Sequence, residues 1–480
     1  MKKFITLLLA CSMLAAMSCG SADTPVSDDT TRQSDTSDTT AAETEPAPDL
    51  PESDFGGYEF RVLHDVTGWG TYSEEHLDFE SENGDVLDDA IFRRNRSVEE
   101  EYGFALIEVI GDYGATANTL TQSVMAGDDE YDLAMITYGW ACGTDLLVDF
   151  NTIPYIDLTM PWWNTNAAEQ LSVGGVLTNA LSDFMITHRD GTVAMFFNKK
   201  LAEDYGVNDL YSLVRDGKWT LDKFGEYARL VTGDLNGDGN YTDADLFGYS
   251  AINTNSYIYM LFGAGATYTK NDENDLPVVS MNNEAFVDRY MKVVNLLNSD
   301  NLLYCPKYVT NKGGDGDQSI FRVFRESRAL FMSHGIGSAS KLRDMEDDFG
   351  VLPAPKYDEA QEDYKNIIDA GKYMVVPNTA SDLERTGIIL EALSYGGYKT
   401  VIPSYYNTML KNKLMRDEES IEMLDEYIFP NSVLKGFFNS NCSEIIENLA
   451  KSPDKIASTI ASREESIQLA IDKIVATMVQ

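Results

Sequence analysis

Tyr58-Glu59-Phe60-Arg61-Val62-Leu63 alternates as a strand does, Leu87, Ile91, Val98 and Tyr102 recur at helical spacing, and Phe104-Ala105-Leu106-Ile107-Glu108-Val109 reads as strand again. Side chains repeat every two residues along a strand and about every 3.6 along a helix, so this stretch predicts strand, helix, strand. The pattern continues outward. Short apolar strands are expected at Tyr131–Thr137, Thr192–Phe197, Ala329–Met332, Phe349–Leu352 and Tyr373–Val376. Helical stretches fall between them at Leu221–Leu230, Asn283–Leu297, Leu383–Leu393 and Ser420–Ile428. Strands alternating with helices predict an α/β protein with largely parallel sheets. No fixed-period repeat is visible, which argues against a solenoid or propeller.

The chain has 480 residues, with 37 Lys and Arg against 78 Asp and Glu, a formal net charge of −41. Such acidity excludes a grip on nucleic acid and argues against an anionic substrate. Hydrophobic residues make up 43% and aromatics 11%, enough to build real cores and to exclude disorder over most of the length. The length allows two to four domains, or one large bilobal unit.

Met1-Lys2-Lys3 precedes an apolar run from Phe4 to about Met17 and then Ser18-Cys19-Gly20. A charged start, an apolar stretch too short to span a bilayer and small residues at its end predict a signal peptide over residues 1–19. From Gly20 to Asp54 the chain is almost all Ser, Thr, Asp, Glu, Pro and Ala, with ten acids and one base, Arg32. This composition cannot bury enough surface to fold, so residues 20–54 are expected to form a disordered acidic tether. The remaining cysteines, Cys142, Cys305 and Cys442, are widely spaced and contain no CxxC pair. That argues against structural zinc and leaves either one disulfide or three buried thiols.

Ala16-Met17-Ser18-Cys19 resembles the lipobox of bacterial lipoproteins, with Ala16 where Leu is commonest. The resemblance implies lipidation at Cys19 and a membrane contact through that anchor only; an ordinary secretory signal is the alternative. Further stretches resemble the extracellular solute-binding proteins of the type 1 family, the maltose-binding-protein-like receptors of ABC importers. They are Asn83-Gly84-Asp85 through Asn95-Arg96, Tyr131-Asp132-Leu133, Pro161-Trp162-Trp163-Asn164, Phe197-Asn198-Lys199-Lys200-Leu201, Gly217-Lys218-Trp219-Thr220, Phe349-Gly350-Val351-Leu352-Pro353 and Lys411 to Asp425. The resemblance implies a bilobal, type II periplasmic-binding-protein-like body over residues 55–480. Its two discontinuous α/β lobes would hold a ligand cleft and close about a hinge. The expected mapping puts lobe one at about 55–195 and 318–368, and lobe two at about 196–317 and 369–480. It implies an extracytoplasmic monomer that captures a carbohydrate, an oligosaccharide by expectation, and delivers it to ABC permease subunits.

Asp234-Leu235-Asn236-Gly237-Asp238-Gly239-Asn240-Tyr241-Thr242-Asp243-Ala244-Asp245 has the spacing of an EF-hand-like calcium loop. Oxygen ligands recur at positions one, three and five (Asp234, Asn236, Asp238), and Gly239 permits the sharp turn. Asn240 offers a backbone carbonyl, and Asp245 closes the loop where a regulatory EF-hand has Glu, with Asp243 able to substitute. A structural Ca²⁺ is the expected cofactor; a metal-free Asp/Asn/Gly turn is the alternative.

Sugar rings present apolar faces edged by hydroxyls, so a carbohydrate cleft calls for aromatics with nearby polar groups, placed at strand carboxyl ends. The candidates are Trp69 and Tyr72 after the first strand, Tyr138 and Trp140 after the Tyr131–Thr137 strand, and His334 after Ala329–Met332. Tyr257, Tyr405 and Tyr406 are expected from lobe two, with Trp162, Trp163 and His188 near the first crossing between lobes. An isolated aromatic also serves as core or rim, and Trp219 is read as core. The four histidines show no paired spacing for zinc. No catalytic residue is identified: Ser338-Ala339-Ser340-Lys341 and Ser299-Asp300-Asn301 stand in reversed order relative to penicillin-binding enzymes, with no Lys-Thr-Gly following. The expectation is therefore a binding protein; the same fold with a peptide or other solute, or a secreted carbohydrate-active enzyme, stays open.

Overall fold

The stretch Tyr58–Asp65 forms strand β1, pairing in parallel along its whole length with β2, Phe104–Gly111. Between them lies the helix Val86–Tyr102. The Asp85 carboxylate accepts the Leu87 and Asp88 N–H groups at its start, and Gly103 ends it in the left-handed conformation at φ 64°. The structure is a computed structural model that describes residues 45–66, 76–137, 144–252, 255–305, 317–411, 418–434 and 439–479. The signal peptide, Cys19, most of the tether, Cys142, Trp69, Tyr72, Tyr138 and Trp140 lie outside the described residues.

Strands β3 (Leu133–Ile136), β4 (Val193–Asn198), β5 (Phe247–Ser250), β6 (Thr269–Asn271), β7 (Pro277–Val279) and β8 (Leu303–Tyr304) follow in sequence. After them come β9 (Ala329–Gly335), β10 (Phe349–Leu352), β11 (Asn366–Ile368), β12 (Tyr373–Val375) and β13 (Ser432–Leu434). They build a four-stranded sheet in the order β12-β3-β1-β2 and a five-stranded sheet in the order β10-β4-β9-β5-β8. Two small pairs, β11 with β13 and β6 with β7, complete the set. Both large sheets are mixed rather than largely parallel: β12 runs antiparallel to β3, and β4 runs antiparallel to both β9 and β10. In each sheet the reversed strand is the one that enters directly after a crossing from the other sheet.

This pairing differs from the expected lobe boundaries. Within residues 318–368, β9 and β10 belong to the five-stranded sheet with β4 and β5, not to the sheet of β1. Conversely β12, expected in lobe two, caps the four-stranded sheet, and the helix Leu383–Gly396 packs on the helix Val86–Tyr102. Apolar periodicity marks a strand without naming its partner, and the boundaries that the resemblance implied put the returning strands on the other side.

Strands β4 and β5 are buried along their full length, as expected for strands covered on both faces. Trp219 is fully buried, with its indole N–H donating to the Pro353 carbonyl at 3.0 Å and its ring 5.5 Å from Phe331. Thr220 caps the following helix, Leu221–Val231, so this tryptophan is core at a helix start. Asp132 is also structural: it accepts the Tyr58 hydroxyl at 2.6 Å and the Arg61 N–H at 2.8 Å.

Two passages join the sheets, residues 183–192 outward and 366–373 on the return, and they run side by side. Asp369 N–H donates to Gly191 O at 3.0 Å, and Lys372 N–H donates to Thr187 Oγ1 at 3.0 Å. A Cβ on Gly191 would sit 1.7 Å from the Ala370 carbonyl oxygen, so only glycine permits this approach. Strand β13 then lies parallel to β11 at the return passage. Among the described residues, no helix is long and apolar enough to cross a membrane.

Candidate functional site

Open α/β sheets bind ligands beyond the carboxyl ends of their strands. At the end of β1 the Asp65 carboxylate is buried and accepts three donors: Gly114 N–H at 2.7 Å, Thr137 Oγ1 at 3.2 Å and the Lys372 ammonium at 3.3 Å. Lys372 comes from the return passage, so the ion pair ties that passage to the first sheet. The ammonium also lies 3.2 Å from His64 Nδ1, while His64 Nε2 lies 2.7 Å from Glu108 Oε1. The same Nδ1 lies 3.1 Å from the Asp65 carbonyl oxygen, so it faces both a donor and an acceptor. Burial, with the Lys372 charge, lowers the pKa of His64 against the pull of Glu108. Burial alone would raise the Glu108 carboxyl, but hydrogen bonds from His64 and the Leu77 N–H hold it below the usual range.

Among the described residues, an exposed aromatic stands at this edge. Tyr113, directly after β2, is 45% exposed, and partial burial with the nearby Asp65 charge raises its hydroxyl pKa. Asp65, Lys372 and Tyr113 were not among the expected site residues. The turn Gly111-Asp112-Tyr113-Gly114, immediately after a strand, was the available signal for the last of them.

The expected aromatics in the described residues are mostly core. Trp162 and Trp163 are buried, and their indole N–H groups donate to the two oxygens of Glu391, each at 2.8 Å. Burial pushes the Glu391 carboxyl up to about 7 against those hydrogen bonds. Tyr257 is fully buried and donates to Asn298 Oδ1 at 2.6 Å, and Tyr405 is buried and donates to Asp190 Oδ1 at 2.7 Å. Tyr406 is partly buried and donates to Asp425. None of the fully packed rings offers a face to a ligand, because each large ring fills core volume and its polar tip is already bonded. His188 is buried with its Nδ1–H donated to Met185 O at 3.2 Å; burial, with the adjacent Arg189 charge, pushes its pKa down to about 3. His334 lies within β9 rather than after it, half-buried, with its ring 5.2 Å from Phe321. Cys305 and Cys442 are buried, and burial pushes the Cys442 thiol up to about 12.

The structure also gathers Trp163, Asp183, His188, Arg189, Thr192 and Phe429 around a cavity of about 200 Å³. Arg189 donates to Asp183 Oδ1 at 2.9 and 3.1 Å, and its guanidinium lies 5.2 Å from the centre of the Phe429 ring.

In the acidic loop, Asp234 accepts the Gly237 and Gly239 N–H groups, Asn236 accepts that of Asp238, and Asp238 accepts that of Asn240, all at 2.7–2.8 Å. Gly237 and Gly239 both hold positive φ, at 72° and 77°. Asp245 is buried and uses its two oxygens on the Leu235 and Thr242 N–H groups, while Asp243 pairs with Arg322 at 2.7 Å. Among the described residues, no three His, Cys, Asp or Glu side chains are grouped to hold a metal ion. Asp234, Asn236, Asp238 and the Asn240 carbonyl remain the candidate ligands.

No family model matches the sequence, and no curated protein matches it. Solved structures do. UspC of M. tuberculosis is similar at 14% identity and TM-score 0.55, over 86% of this chain and 100% of that one. An ABC transporter solute-binding protein from Thermotoga lettingae, bound with alpha-D-tagatose, is similar at 15% identity and TM-score 0.51, over 88% and 100%. The cyclic alpha-maltosyl-1,6-maltose binding protein from Arthrobacter globiformis is similar at 13% identity and TM-score 0.53, over 88% and 99%. The architecture shared with these chains is the α/β, two-lobed type II periplasmic-binding-protein fold.

Proposed function

We propose that this protein captures a carbohydrate outside the cytoplasm and delivers it to an ABC importer, by closing its two sheet-centred lobes about the crossing passages. The observation that carries the reading is the extent of the shared fold: nearly all of each sugar-binding neighbour superposes on most of this chain. The edge chemistry supports it. Exposed Tyr113 supplies an aromatic face on which a sugar ring can stack, and the buried Asp65–Lys372 pair beneath it fixes the return passage to this edge. Trp69, Tyr72, Tyr138 and Trp140 follow β1 and β3 in sequence. The protein acts by binding rather than turnover, as a monomer with permease subunits as partners. Cys19 carries a lipid anchor as the first residue left after removal of residues 1–18, and the 234–245 loop takes a structural Ca²⁺. Titration calorimetry with maltotetraose, tagatose and a tetrapeptide, followed by product analysis, tests the reading. Saturable heat with an unaltered sugar is expected. Binding of the peptide alone, or hydrolysis of the sugar, overturns it.

A further inference from the structure

The cavity of about 200 Å³ opens between the 161–166 loop, the outward passage and the turn at Phe429 and Pro430. None of its lining residues comes from the carboxyl end of a strand in either large sheet, so it is separate from the edge site at Asp65. That is well above the space one water needs and is the scale of one small organic molecule.

Its polar lining holds both acceptors and donors: Arg189 spends Nε and Nη2 on Asp183, and its Nη1 is not engaged there. Asp183, with a side chain 3% exposed, receives Arg189 on Oδ1, while its second oxygen, Oδ2, is buried without a hydrogen-bond partner. A buried carboxylate oxygen left bare costs about 1–3 kcal/mol or more, so such groups call for a donor. His188 spends its Nδ1–H on Met185, and in that neutral ring Nε2 is an acceptor. The Thr192 hydroxyl is donated to His188 O at 2.8 Å. Asp183 and Arg189 cancel in charge, which removes the attraction for a cation. Phe429, held by Arg189, supplies an apolar wall.

We infer that this cavity is a second binding site, for a small neutral polyhydroxylated molecule such as a single sugar ring or polyol, whose hydroxyls donate to His188 Nε2 and accept from Arg189 Nη1. The site is independent of whatever occupies the edge at Asp65.

The test uses the full chain labelled with 5-fluorotryptophan, which places a reporter at each of the five tryptophans. The Trp163 ¹⁹F resonance is assigned through Trp163→Phe. D-glucose and glycerol are the probes. A saturable shift of the Trp163 signal is expected, weakened at least about tenfold by Asp183→Asn, which releases the Arg189 guanidinium from the carboxylate that aims it. Asn166→Phe, which plugs the mouth and leaves the Asp183–Arg189 pair intact, abolishes the shift and carries the test if Asp183→Asn does not fold. No shift with either probe means that water alone fills the cavity and overturns the inference. A shift that persists in Asn166→Phe arises at another site and overturns it equally, as does a shift with methylammonium in place of glucose.

Discussion

The Lys372 ammonium lies 3.3 Å from the Asp65 carboxylate with both side chains almost wholly buried, one on the return passage and one at the end of β1. Removing one partner from such a pair leaves a bare buried charge and costs about 3–5 kcal/mol. Lys372→Met and Asp65→Asn are each expected to lose stability on that scale in urea denaturation. The double variant recovers part of the loss, because no charge is then stranded; strictly additive single losses would refute the coupling.

Glu391 predicts a pH dependence. Its carboxyl in the folded protein, pushed up to about 7 from an ordinary 4.5, binds its proton more tightly than the unfolded chain does. Its contribution to stability is therefore present at low pH and lost as pH rises from about 4.5 through 7, with a slope of up to about 1.4 kcal/mol per pH unit. Glu391→Gln removes the titration and leaves one indole N–H facing an amide N–H. The variant is expected to be less stable than the parent at pH 5 by about 1–3 kcal/mol, with the gap narrowing by pH 8. A gap constant across that range contradicts the assignment.

Calcium should raise the melting temperature of the parent chain above that measured in chelator, and Asp238→Ala should abolish the increase. Equal melting in both conditions would show that the 234–245 loop is held by its own Asx-turn hydrogen bonds alone.

Tyr113 carries the sugar-capture reading at a single residue. Its ring is exposed, so Tyr113→Ala should leave the melting temperature unchanged while weakening sugar binding about tenfold, the scale of one lost aromatic contact. Unaltered affinity by calorimetry removes Tyr113 from the site.

Gly191→Ala drives a methyl carbon into the Ala370 carbonyl. Overpacking of this kind costs about 1–3 kcal/mol, read as a lowered urea midpoint at unchanged slope.

Local pattern was legible in the sequence. The strand Phe349–Leu352 has the expected bounds, and Asn283 stands as the cap of the helix Glu284–Leu297, which its spacing marked. Partnership was not. Trp162 and Trp163 read as cleft aromatics because nothing local shows that Glu391, 229 residues from Trp162, receives both indoles. His334 was placed beyond a strand that runs on to Gly335, since Ser333 and His334 break the apolar run without ending the ladder with β4. Asp65 and Lys372 leave no local signal for the same reason as β12: a charge pair across a crossing has no period.

The return of β12 to the first sheet bears on how the chain acquires its fold. Strand β3 is edged by β1 on one side and β12 on the other, so until residue 375 is available its outer row of backbone groups has no ladder partner. Neither half is then an autonomous folding unit, and the ladders join segments hundreds of residues apart, which places the chain among slow folders of high contact order. A fragment ending before Tyr373 would expose the β3 edge to a second copy of itself, making aggregation rather than half-folding the outcome of truncation.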